Sequence, residues 1–220
     1  MPVRGFFKTG PANSEPQKEI YRGCWPLIGL CDLVDVFPDH PEVSQWKNGI
    51  GMYCREYLER MAERTVFGIV LYGLYAGKDP GGNRRIGRYW YRWFMRPDQG
   101  WWVGINANVA SAGVGLLKAS RILNDPALAV RAQRQLDWIL GVNPFNASTV
   151  MGVGHNQPPI FVTSEFRPAT PLIPGAVMNG IGGTLDDQPD MKPASYHTCE
   201  YWTPMVCYTM WLMAETYSRL

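Results

Sequence analysis

The run Ser195–Pro204, SYHTCEYWTP, sets a carboxyl, an imidazole, a thiol and three aromatic rings within ten residues. Two chemistries suit it. Cys199 beside His197 resembles half of a thiol nucleophile system, but nothing in the run supplies the third group that orients the imidazole. Glu200 among Tyr196, His197 and Trp202 is the stronger candidate. Partial desolvation by rings favours a protonated carboxyl, and a protonated carboxyl can pass its proton to a leaving oxygen. The plainer reading is a glutamate near a helix start, favoured there by the macrodipole.

Other residues could assist. Asp187 and Asp190, in GGTLDDQPD, could support an acid or base, or with Asp186 and loop carbonyls hold Ca²⁺. A turn whose carboxylates bond their own backbone explains the same run, and no cofactor is required. Trp101 and Trp102 follow an Asp-Gln-Gly turn, and a flat indole can cover the apolar face of a pyranose. The five cysteines form no C-x-x-C pair and have no histidine at zinc spacing, so no metal site is expected. The Gly-x-Gly runs GVGLL and MGVGHN lack the strand-loop-helix setting of a phosphate loop.

The chain that must position these groups has 220 residues, 46% hydrophobic and 18% charged, with a net charge of +2. That suits one packed domain. It lacks the basic footprint of a nucleic-acid or anionic-membrane binder. The Arg84, Arg85, Arg88 and Arg92 cluster, interleaved with aromatic residues, reads as a solvated rim. No apolar run reaches transmembrane length, and the N-terminus lacks the apolar core of a signal peptide. Secretion or a periplasmic location would need a signal peptide upstream.

Apolar spacing predicts helices over Glu19–Phe37, Val43–Arg64, Asn106–Leu123, Asp125–Leu140 and Tyr201–Leu220. Asp125 can cap its helix, Pro126 suits its first turn and Gly141 its end. GKDPGGNRR marks a loop before an aromatic segment at Tyr89–Phe94, and no convincing alternating strand is seen. Residues 141–200 form a loop-rich, candidate active-site region. Helical hairpins with long loops suggest an all-α fold of the α/α-toroid type, a single helical domain over 1–220.

The segment QLDWILGVNPFNASTVMGVGHNQPP, Gln135–Pro159, resembles a signature of family 9 glycoside hydrolases: a Leu-Asp-aromatic-Ile-Leu-Gly run, an Asn-Pro loop, then a Ser-to-Pro segment. PGAVMNGIGGTLDDQPD is similar to the family's Gly-Gly and spaced-Asp loop. The resemblance covers about residues 100–220. It implies an (α/α)6 barrel cleaving β-glucans with inversion, which needs one protonated carboxyl and one ionised carboxylate. Counted from the Asp loop, with Tyr196 four residues before it, Glu200 falls on the family's general acid. A register anchored on Pro204 instead puts Tyr196 at that position. In SEFRP, Arg167 falls where the family binds sugar hydroxyls, although its preceding histidine is replaced by Glu165 and Phe166.

The family's base motif, Asp-Ala-Gly-Asp, does not occur. Either the chain is the C-terminal half of a larger barrel, with the N-terminal half as a partner and a polysaccharide or oligosaccharide as substrate, or the hydrolytic machinery is lost. The rival functions are a non-catalytic carbohydrate-binding or scaffolding helical domain, and an α/α-toroid polysaccharide lyase or uronyl hydrolase.

Overall fold

The computed structural model describes residues 3–16, 24–98, 103–161 and 172–218. Its longest helix, α4 (Asn106–Leu123), is rich in Ala, Gly, Ser and Val and is buried at every position from Asn106 to Ser120. Small side chains let its neighbours approach closely. A Cβ added at Gly113 would lie 2.8 Å from Leu212, and one at Gly115 would lie 2.7 Å from Leu27.

Those neighbours are α1 (Trp25–Val36) and α7 (Thr203–Tyr217). Cys24 N–H donates to Ser111 Oγ, and further along Lys118 meets Asp32 at 2.8 Å. Contacts that advance in step make α1 parallel to α4. Gly113 against Leu212, then Lys118 against Glu215 at 3.7 Å, make α7 parallel too. The helix α4 ends at Asn124 in the left-handed conformation, φ +49°, and the chain reverses into α5 (Pro126–Leu140). There Asp125 Oδ1 accepts from Ala127 N–H at 3.2 Å, Pro126 opens the first turn and Gly141 closes the last at φ +126°. This hairpin follows the sequence reading at both ends.

The second predicted helix is α2 (Val43–Gly51), which passes into a π-helical stretch, Met52–Glu59, and a final turn, α3 (Arg60–Ala62). The expected start of this first helix, residues 19–23, lies outside the described residues.

The strands correct the sequence reading. β1 (Lys8–Gly10) and β2 (Asn13–Pro16) form one hairpin, and β6 (Gly182–Gly183) with β7 (Pro189–Asp190) another. Between them β3 (Gly73–Tyr75), β4 (Arg85–Ile86) and β5 (Tyr89–Arg92) form an antiparallel sheet in the order β3-β5-β4. The aromatic segment is thus a central strand, with Tyr89 and Tyr91 buried and Trp90 half-buried. The protein is helical with small sheets, and no described helix is long and apolar enough to cross a membrane.

Candidate functional site

The N-terminal ends of α4 and α7 and the C-terminal end of α5 face the same way. Loops cover that end. They are tied by backbone hydrogen bonds: Gly104 N–H to His197 O at 2.8 Å, Ile105 to Ile181 at 3.0 Å, Gly180 to Thr198 at 2.9 Å and Met178 to Thr149 at 2.9 Å. Asn106 reinforces the web, donating from Nδ2 to Thr149 Oγ1 and to Met178 O. Isolated bridges pair Val150 with Val177 and Met178 with Tyr201.

Glu200 lies in extended backbone between the short helix α6 (Tyr196–Cys199) and α7. It is half-buried. Asn179, fully buried, holds it at two points. Its backbone N–H donates to Glu200 O at 2.9 Å, and its Nδ2 stands 3.5 Å from Glu200 Oε2, the outer limit of a hydrogen bond. The same Nδ2 donates to Tyr196 O at 2.7 Å, so one amide fixes both ends of α6. Sequence reasoning missed Asn179. Its only local mark is the following Gly180, held at φ +92°.

Tyr196 and His197 stack with ring centroids 3.9 Å apart, and Phe161 meets Tyr196 edge-on at 6.1 Å. Tyr196 is exposed, so this short ring ledge faces solvent. His197 Nδ1 lies 2.7 Å from Ser195 Oγ. Burial and then the charge of Lys192 hold the His197 pKa below its usual value, while Asp190 pulls the other way. Asp190 itself meets Lys192 at 3.7 Å. Trp202 is half-buried and lines a crevice of only about 20 Å³ with Tyr72, Asn108 and Met205, room for little beyond a water molecule. Trp101, Trp102 and Arg167 lie outside the described residues.

Asp187 stands apart from this group. Its carboxylate is fully buried, accepts from the N–H groups of Trp93 and Phe94, and pairs with Arg84 at 2.9 Å and Arg92 at 3.6 Å. Burial pushes the acid up, against the pull of those backbone donors and the two arginines, and burial pushes the Arg92 guanidinium down. This is a structural clamp between β5 and the β6–β7 hairpin. It also corrects the reading of Arg92 as solvated rim: that side chain is buried, donating to the carbonyls of Phe94, Thr184 and Leu185. The Asp187 carboxylate is thus turned to two arginines. Among the described residues no group of three or more His, Cys, Asp or Glu could hold a metal ion.

Cys199 is buried, donates to Lys192 O at 3.4 Å and has its thiol pKa raised by burial, the opposite of an activated nucleophile. Depressions of about 470 and 410 Å³ open beside Lys47–Leu123 and Glu59–Arg134, and Glu200 lines neither.

No family model matches the sequence, and no curated protein matches it. The fold is similar to solved structures of cellulases. The cellulase Cel9M of C. cellulolyticum in complex with cellobiose superposes with a TM-score of 0.54 at 17% identity, over 88% of this chain and 39% of that one. For endoglucanase CelQ from Clostridium thermocellum complexed with cellotriose the values are 0.54, 18%, 87% and 30%. For a Bacteroides ovatus GH9 structure they are 0.52, 19%, 79% and 28%. The chain therefore has a glycoside hydrolase-like fold and spans between 28% and 39% of the length of these neighbours.

Proposed function

We propose that this chain is the C-terminal part of an (α/α)6 glycoside hydrolase, one helical domain whose loop-rich region at 141–200 carries the site, and that it cleaves a β-linked glucan with inversion. Glu200 is the general acid. It gives its proton to the glycosidic oxygen as the bond to the anomeric carbon breaks, while a carboxylate from the rest of the barrel takes a proton from the attacking water. The Tyr196 and His197 rings and Trp202 line the sugar path, joined by Trp101, Trp102 and Arg167, with Asp190 supporting His197. No cofactor is needed for this chemistry.

The observation that carries the reading is the placement of Glu200: half-buried at the loop-covered end, held by a buried asparagine, and close in sequence to a stacked ring pair whose Tyr196 is exposed. The cellobiose and cellotriose in the neighbours' structures support a saccharide as ligand.

The test is hydrolysis by the full-length gene product. Glu200→Gln should lower the rate on β-glucan by about two to four decades. The loss should be smaller on aryl glycosides, whose leaving groups need little protonation. A wild-type rate on β-glucan would remove Glu200 from the role and pass it to the Pro204-anchored register. The absence of the Asp-Ala-Gly-Asp motif favours one other reading, a non-catalytic carbohydrate-binding domain. Saturable oligosaccharide binding with no hydrolysis by the full-length protein would select it.

A further inference from the structure

A second cleft, of about 200 Å³, lies where α5, β5 and the loop after α3 meet, and it shares no lining residue with the Glu200 group. Its floor is aromatic: Trp93, Phe94 and Trp138 line it and are almost wholly buried. Trp138 is braced by Phe67, edge-on at 5.4 Å, and its indole N–H is buried without an acceptor among the described residues.

The rim is cationic. Arg64, exposed, donates from Nε to Tyr91 OH at 3.0 Å and has no carboxylate partner among the described residues. Arg84 uses Nε and Nη2 on Asp187 and also lines the cleft. Among the described residues that line the cleft Asp187 is the only carboxylate, and Arg92 pairs with it at 3.6 Å. Two lining guanidinium groups, Arg64 and Arg84, against one carboxylate leave a net positive charge over an apolar floor, and planar guanidinium forks suit a carboxylate. The volume suits a single ring, being below that of a drug-sized pocket.

We infer that this cleft, between Arg64, Arg84 and the rings of Trp93, Phe94 and Trp138, is a binding site for a uronic acid unit. The sugar's C–H face would lie against the aromatic floor and its carboxylate would meet Arg64 and Arg84. The Leu-Asp-Trp-Ile-Leu-Gly and Asn-Pro runs thereby acquire a second use, because Trp138 and Pro144 both line this cleft.

The experiment is calorimetric titration of the chain with methyl β-glucuronide, methyl β-glucoside and benzoate. Glucuronide should bind at least about tenfold more tightly than glucoside, and more weakly as salt is raised. Arg64→Met should abolish that preference, and Pro144→Asp, another exposed rim position, should repel the acid; neither side chain is needed by the core. Equal affinity for glucoside, undiminished binding in both rim variants, or binding of benzoate in preference to glucuronide would each overturn the inference.

Discussion

His197 sits between charges of opposite sign, and its protonation should register in stability. Burial and Lys192 depress its pKa while Asp190 opposes them, so the folded protein resists protonating this ring. For a group with a depressed folded pKa, the stabilisation is present above the unfolded value, about 6.5 for histidine, and is lost as pH falls through the folded value. The melting temperature should therefore fall as pH drops from about 7 to about 5, and His197→Gln should flatten part of that slope. An identical slope in the variant would show that His197 does not carry it. Tyr196, His197 and Glu200 were legible as candidates because their side chains declare their chemistry. Asn179 was not, since an amide has no role until the fold sets its backbone against Glu200. Arg92 misled for the same reason: charge spacing resembles a surface until Asp187, far along the chain, is brought beneath it.

At the scale of elements, the approach of Gly104 to Gly180 holds the loop-covered end together. A Cβ at Gly104 would lie 2.2 Å from Gly180 O, and backbone cannot swing aside as a side chain can. Gly104→Ala should cost about 1–3 kcal/mol or more in urea unfolding. Gly29, exposed within α1 with nothing near its added Cβ, provides the contrast. There alanine should stabilise by about 0.5–1 kcal/mol through helix propensity. Equal effects at the two sites would refute the steric account. The α4–α5 hairpin could be read from sequence because its signals are local: a capping Asp125, Pro126 in the first turn, Gly141 at the end. The sheets could not, because strands of two to four residues are too short to show alternation and are defined by their partners.

At the scale of the whole molecule, α7 carries two apolar stripes. Met205, Tyr208, Thr209 and Leu212 are buried. Cys207, Met210, Met213 and Tyr217 form the other stripe and are open to solvent, Met210 at 63% and Tyr217 at 78% exposure. On α1, Trp25, Leu33 and Val36 are likewise exposed, and Trp25 lies 5.6 Å from Tyr208 and 6.4 Å from Trp211, so the two helices adjoin. A helix apolar all round belongs in an interior, and an exposed stripe of this kind marks a surface that is covered in use. Together with neighbours more than twice as long, this supports the reading of a larger barrel whose other helices lie here. The isolated chain should then associate through the same face. Sedimentation velocity should show self-association that grows with concentration, and Met210→Glu with Met213→Lys should restore a monomer with the melting temperature preserved, because neither side chain contributes to the core. A wild-type chain that stays monomeric at high concentration and binds no hydrophobic dye would mean the stripe needs no cover, and the half-barrel reading would lose its physical support.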